Sequence, residues 1–518
     1  MSSQSSDNNK RIAKNVSFLY FRMIFLLIVG LYTSRVVLNT LGVVDYGIYN
    51  VVGGVVAMFS FINGSMGTAT TRFLTFELGK KTSYDRMRLV FSTALVIHMA
   101  ICCLILLLGE TIGLWYVYNV LVVPAERFNA ALFVYQFSLV TTLIGIISVP
   151  YNASLIAHEK MGAFAYISIF EAIANLSIAL VVKYVNFDKL VLYGVLLMFL
   201  QIILRLIYGM YCSKHFEEVS GRWMFDKEKF KEMGKFALWI MNGSLAVIGY
   251  TQGLNLILNS FFGPAVNAAR AIAVTVQLKV SQFCTNFQTA VNPQITKSYA
   301  SNDLNYMYSL INNTSKYSFY LVFLLSYPII IEADLILKLW LGIVPEYATR
   351  FVQLTLFIGL VESLRMPLNT AIHSTGKIKK FQIYEGGASL MILPIALAFL
   401  YLGFSPLSVF VVQLVMFIVI QIIRVLIVCP AIGMKKNMYF KEVIYPILKV
   451  VLLPLAIIPL LKYFVQFRNI YLNLSFYILI TILMSIVCIY YIGMNKIMRD
   501  KIVNKIKEKI RLFANFGA

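Results

Sequence analysis

Acidic residues are scarce in this chain: 23 Asp+Glu stand against 45 Lys+Arg, and charged residues make up only 13% of 518 positions. A soluble globular chain carries about a quarter charged residues, so an ordinary water-facing surface is excluded. Cysteine (6) and histidine (4) are equally sparse. Cys102, Cys103, Cys212, Cys284, Cys429 and Cys488 lie in or beside apolar runs with no C-x-x-C pair. That excludes a disulfide frame or a thiolate metal cage and leaves small buried hydrophobes. The chain has no P-loop, no G-x-G-x-x-G and no G-x-S-x-G, so nothing points to an enzyme, a metal or a cofactor. The apolar run beginning at about Phe18, behind the polar "MSSQSSDNN", has no A-x-A-like site and exceeds a signal h-region. It reads as a first membrane span.

What is present is apolar. Hydrophobic residues reach 59% and the mean hydropathy is +0.78, which places the chain in lipid. The net charge of +22 sits in short clusters between apolar runs rather than on one basic face, which is the pattern of a membrane protein and not of a nucleic-acid binder.

A bilayer core needs about 20 apolar helical residues to cross. Fourteen runs qualify: 17–38, 43–65, 88–109, 128–149, 163–184, 190–212, 234–259, 265–290, 316–337, 349–371, 380–402, 405–428, 443–463 and 470–492. The second and eighth are the least apolar, rich in Gly, Ala, Ser and Asn. With a cytoplasmic N-terminus, 31 Lys+Arg fall in cytoplasmic segments, 9 at the outer face and 5 deep within spans. This asymmetry satisfies the positive-inside rule, so both termini are expected in the cytoplasm. The tail 493–518 spaces Ile502, Ile506 and Ile510 four apart with lysines opposite, the pattern of a basic amphipathic helix on an anionic leaflet.

Two polar breaks repeat. "PYNASLIAHEK" (Pro150 to Lys160) and "PLNTAIHSTGK" (Pro367 to Lys377) align without a gap, matching Pro150, Asn152, Lys160 and Phe164 to Pro367, Asn369, Lys377 and Phe381. "LNTLG" (Leu38 to Gly42) likewise resembles "LNSFFG" (Leu258 to Gly263). An internal duplication accounts for both. The expected fold is an all-α polytopic membrane protein of fourteen transmembrane helices: two parallel-repeat six-helix lobes plus two extra C-terminal helices. Its parts are a tail 1–16, a first lobe 17–212, an inter-lobe loop 213–233, a second lobe 234–428, helices 13 and 14 at 443–492, and the basic tail 493–518. An even number of helices per lobe gives both the same orientation, the parallel plan of many secondary transporters. Pro150 and Pro367 are expected to end their helices at equivalent elbows, with Asn152, Lys160, Asn369 and Lys377 beside them. His158-Glu159 lacks the second histidine of a zinc helix, and Asn152-Ala153-Ser154 faces the cytoplasm, so neither marks a site.

Charges inside the membrane are costly and usually paired or functional. The candidates are Arg22, Glu171, Arg205, Lys279, Glu362, Arg365 and Glu385, with Arg35 and Arg270 near outer ends. For Arg22, Arg35, Arg205, Arg270 and Arg424 the plainer alternative is snorkelling to the headgroups. Glu362 and Arg365, three apart, can neutralise each other. On helix eight, Arg270, Gln277, Ser281, Cys284 and Gln288 fall within about 40° of one line, with Asn267 nearby. Thr275, Lys279, Gln282 and Asn286 form a line opposite, and Ser244, Thr251 and Asn255 a face of helix seven. Such a helix must be enclosed or line a wet cavity. A cationic wall suits an anionic, phosphate-bearing substrate. Glu171, Glu362 and Glu385 are the carboxylates available for coupling to H+ or Na+.

"LGVVDYGIYNVVGGVVAMFSFINGSMGTATTRF" (Leu41 to Phe73) and "NPQITKSYA" (Asn292 to Ala300) resemble signatures of bacterial polysaccharide or O-antigen (Wzx-type) flippases. The resemblance extends to length and helix count. It implies the superfamily that also holds MATE-type multidrug exporters and the lipid II flippase. The implied substrate is an undecaprenyl-pyrophosphate-linked oligosaccharide crossing the bacterial inner membrane for O-antigen or capsule assembly, alongside polysaccharide polymerase and assembly proteins. By similarity to the lipid II flippase, arginines on helices one and eight hold the pyrophosphate, here Arg22, Arg35 and Arg270. The arginine which that flippase carries on helix two is missing, since Val43 to Ser65 holds only Asp45. Lys279 and Arg365 are candidates for its place. The alternatives are a cation-coupled MATE-type multidrug exporter or a lipid II-type flippase.

Overall fold

Leu, Ile, Val and Phe dominate runs too long for buried strands, and a chain in lipid must satisfy its backbone internally, so helices follow. The computed structural model describes residues 3–57, 60–119, 123–220, 223–465, 467–496 and 499–500; the expected amphipathic tail lies outside them from 501 onward. The main helices are α1 (Ser3–Ala57), α2 (Ser60–Lys80), α3 (Tyr84–Leu108), α4 (Phe128–Ala157), α5 (Met161–Tyr184), α6 (Lys189–His215), α7 (Lys227–Phe262), α8 (Pro264–Ala300) and α9 (Leu304–Ile331). They continue as α10 (Ala348–Glu362), α11 (Arg365–Thr375), α12 (Lys379–Leu390), α13 (Ile392–Tyr401), α14 (Leu407–Ala431), α15 (Tyr445–Phe464) and α16 (Ile470–Cys488). The chain is a multi-pass, all-helical membrane protein.

Among the described residues, twelve helical stretches are long and apolar enough to cross a membrane. The expected second and eighth spans fall outside that set, yet both are helical: α1 resumes beyond Gly42, and α8 runs 37 residues from Pro264 to Ala300. The eighth is set apart by composition, because its polar residues lower the hydropathy; of the second, 43–57 and 60–65 are described. Large apolar side chains such as Phe21, Leu107, Leu206, Leu256, Ile422 and Leu452 are exposed, the surface that lipid tails cover.

The backbone carries the repeat period. Gly42 (φ 77°) and Gly263 (φ 78°) are both left-handed and 221 residues apart; so are Lys81 (φ 52°) and Asn302 (φ 59°). Glu159 (φ 58°) and Gly376 (φ 75°) are left-handed and 217 apart, the spacing that aligns the two polar breaks. L-residues seldom adopt this conformation, so its recurrence at matched positions is a signature that composition does not supply. At Gly42 the pair φ 77°, ψ 170° is open essentially to glycine alone.

The prolines act differently from the expectation. Pro150 lies inside α4, which continues to Ala157. Its missing N–H removes one bond without ending the helix, because surrounding helices hold the segment in place. Pro367 sits in the first turn of α11, where its absent donor would be unpaired anyway. The helices end later, at Glu159 and Gly376, where a left-handed residue turns the chain. Lys160 and Lys377 follow those turns and are exposed, whereas Asn152 and Asn369 each bury a side-chain oxygen without a hydrogen-bond partner among the described residues.

The chain forms two compact units. Unit 1 comprises Met1–Leu245, Thr289–Met307 and His373–Gln382; unit 2 comprises Ala246–Gln288, Tyr308–Ile372 and Ile383–Ala518. In unit 1, α1 packs on α5 and α4 on α2 and α6. A core of Phe73, Leu74, Val90, Phe91, Met233, Phe236 and Ile378 draws together residues far apart in sequence. Phe73 meets Phe236 edge-on at 5.5 Å; each such side chain, fully buried, contributes about 1.5–3 kcal/mol. In unit 2, α10 packs on α14, and Phe351 lies 4.2 Å from Phe410 between ring centres.

Candidate intramembrane charge sites

Unit 2 holds a closed ring of four charges. Span ten breaks at Ser363 and Leu364, which ends α10 at Glu362 and starts α11 at Arg365. Arg365 reaches Glu362 Oε2 at 3.4 Å and Glu385 Oε1, on α12, at 3.4 Å. From α14, Arg424 donates through Nε to Glu385 Oε1 at 2.9 Å, through Nη2 to Glu362 Oε1 at 3.0 Å, and through Nη1 to Gln421 Oε1 at 3.2 Å. Arg424 is 1% exposed and Glu385 5%. Two guanidiniums therefore cancel two carboxylates in a desolvated setting where each alone would be costly. Arg424 does not snorkel. The neutralisation of Glu362 by Arg365 extends to a second pair that single-helix spacing does not reveal.

Arg270 is the contrasting cation. It is 5% exposed, yet its partners are neutral: Nη1 donates to Asn255 Oδ1 and Nη2 to the Thr251 carbonyl at 3.2 Å. Asn267 Nδ2 donates to the Asn255 carbonyl at 3.1 Å. The polar face of helix seven and the first polar line of helix eight thus meet in α7 and α8. Along that line Arg270, Cys284 and Gln288 are buried, and Gln277 and Ser281 half-buried. Gln288 bonds Ser318 Oγ at 3.0 Å and the Ser363 carbonyl at 2.7 Å. On the opposite line Thr275, Lys279 and Gln282 are exposed. Lys279 and the exposed Arg35 form no ion pair among the described residues.

In unit 1, Arg22 on α1 is half-buried with its guanidinium 4.5 Å above the Phe164 ring, a cation–π contact. Glu171 and Tyr208 are its electrostatic neighbours. Arg22 Nε is buried without a hydrogen-bond partner among the described residues. Arg205 stacks on Tyr151 at 3.7 Å, so it too is held by protein.

Sequence reading passed over two further groups. Arg72, inside "ATTRF", is 9% exposed and donates to the carbonyls of His373 and Ser374, each at 3.0 Å, at the end of α11. A cation on the last carbonyls of a helix complements its dipole. Arg127, ahead of α4, holds Asp188 at 2.5 Å and Asp45 at 2.8 Å; a lone arginine in a connecting segment gives no sequence signal of that grip.

No family model and no curated protein matches the sequence. Solved structures do. A multidrug resistance MATE family transporter of the MOP superfamily, in an outward-facing conformation, superposes with TM-score 0.69 at 13% identity, covering 82% of this chain and 96% of its own. The chain has the MATE transporter fold. The Vibrio cholerae MATE transporter VcmN in its bent form gives 0.65 at 16% identity, over 85% of this chain and all of that one. A Pyrococcus furiosus MOP superfamily transporter, for which reversed polarity of the binding pocket suggests a different function, gives 0.66 at 12% identity, over 82% and 96%.

Proposed function

We propose that this protein is a flippase that carries an undecaprenyl-pyrophosphate-linked oligosaccharide, such as an O-antigen, capsule or exopolysaccharide repeat unit, from the inner to the outer leaflet of a bacterial cytoplasmic membrane by alternating access. It works as a transporter and not as an enzyme, with both termini in the cytoplasm. The observation that carries this reading is Arg270: a buried guanidinium on a MATE-type α8, hydrogen-bonded only to neutral groups among the described residues. Such a cation lacks a counter-charge until an anion arrives, and a pyrophosphate provides one with fork geometry. Arg22, Arg35, Lys279, Asn267, Gln277 and Ser281 are the further candidates to line its path. Arg365 leaves this set, because Glu362 and Glu385 already occupy it.

The test is export of surface polysaccharide by cells carrying Arg270→Ala or Lys279→Ala. Arg270→Ala should reduce export at least tenfold; normal export by both variants would overturn the phosphate site. A multidrug exporter is the second reading, favoured by the MATE fold and by Glu171, the intramembrane carboxylate not enclosed by two arginines. Under it, Glu171→Gln abolishes resistance to a cationic dye while Arg270→Ala does not.

A further inference from the structure

The break "AHEK", chemically unpromising as a sequence, contains a fully buried carboxylate. The Glu159 side chain is 0% exposed. Its oxygens meet Arg11 Nε at 2.8 Å, Lys297 Nζ at 2.5 Å, and Gln294 Nε2 at 2.7 and 2.8 Å. Its left-handed backbone is fixed by its own N–H bonding the Ile156 carbonyl at 3.0 Å and by the Lys160 N–H bonding Leu155 at 2.9 Å. Next to it, His158 Nε2 lies 2.7 Å from Glu218 Oε1 and stacks on Phe216. The turn between α4 and α5 is therefore held rigid, with one carboxylate aimed at three donors from the start of α1 and the last third of α8.

The same end of α8 is fastened again. Thr296 and Ser374 share a hydroxyl hydrogen bond at 3.0 Å, and Arg72 grips the carbonyls of His373 and Ser374. Gly79 lets α2 approach so closely that a Cβ there would stand 2.7 Å from Lys297 Cα and O. Both fastened segments belong to unit 1, whereas the preceding residues of α8, to Gln288, belong to unit 2.

We propose that Glu159 is a releasable latch that fastens residues 289–300 and the start of α1 to the α4–α5 turn and lets them go when the transporter changes state; the change of state rests on the alternating-access reading above. The choice of fastening is the physical argument. Apolar side chains pulled apart into water gain nothing in exchange, whereas ionic partners regain hydration when they separate. Desolvation offsets most of the attraction in a buried ion pair, so its geometry is specific while its net stabilisation is small. A joint meant to open is better built from Glu159, Arg11 and Lys297 than from leucines.

The test is amide hydrogen exchange, read by mass spectrometry, on the full-length protein in lipid nanodiscs. Glu159→Gln should raise exchange in residues 289–300 and 7–15 at least tenfold while leaving residues around Asp45, Arg127 and Asp188 unchanged. The swap Glu159→Lys with Lys297→Glu should restore much of the protection. In a Cys103→Ser background, Glu159→Cys and Lys297→Cys joined by a short bifunctional thiol reagent should exchange at least tenfold more slowly at 289–300 than the wild type, because the wild type samples the released state. A bridged protein that exchanges like the wild type would show a fixed strut and overturn the latch. Unchanged exchange in Glu159→Gln, or exchange rising across the whole chain, would overturn it as well. None of these readouts needs a substrate, so they stand apart from the identity of the cargo.

Discussion

The two units differ in how they handle intramembrane charge, since only unit 2 combines a balanced ring with a cation set beside neutral groups. Unit 2 encloses Glu362, Arg365, Glu385 and Arg424 as a balanced ring with Arg424 almost inaccessible, then leaves Arg270 beside neutral groups. Unit 1 keeps Arg22 and Glu171 half-buried, with the Phe164 ring as Arg22's aromatic companion. A balanced ring, with Arg424 and Glu385 buried and Glu362 and Arg365 half-buried, is a structural joint: its charges are already matched to one another. A half-open, loosely matched set leaves charge unmatched. Candidate function therefore concentrates at Arg270 and around Arg22 and Glu171, and stability at the ring.

Breaking the ring should have the largest effect. Arg424→Met leaves two carboxylates to one guanidinium, an uncompensated buried charge worth about 3–5 kcal/mol; thermal unfolding in detergent should show a far larger fall in Tm than for Arg22→Met. Equal losses would erase the distinction between the units. Next comes Gly79→Ala, which sharpens how unit 1 holds its distant segment. The added methyl meets backbone atoms at 2.7 Å, and overpacking of this kind costs about 1–3 kcal/mol, visible as a lower Tm and faster exchange at 289–300. The smallest effect belongs to Glu171→Gln. The amide keeps the size and hydrogen-bonding capacity of this half-buried side chain, so stability should move by less than about 1 kcal/mol, while the pH dependence of transport should flatten if this carboxylate couples a proton. A loss as large as that of Arg424→Met would make Glu171 a joint like those in unit 2.

Much of the fold was legible because its signals are local. Apolar runs set the helices, and the eighth run, rich in polar residues, is helical yet too polar for the apolar set. The pairing of Glu362 with Arg365 could be read because both lie within one turn. For Arg424 snorkelling stood as the plainer alternative, because its partners sit 39 and 62 positions away and nothing along α14 points to them. Arg72 looked like part of a signature, yet it serves carbonyls about 300 residues downstream. Pro150 was taken as a helix end by a local rule that tertiary support overrode.

By itself, the sequence determined a helical membrane chain and the 217-residue register of its two polar breaks, because hydropathy and spacing act over a turn or a bilayer thickness. Only the tertiary structure decided which charges cancel, which stand alone, and that Glu159 in "AHEK" joins Arg11 to Lys297. Ion pairing depends on distances of a few ångströms between residues that are often tens of positions apart or more. No local period encodes that.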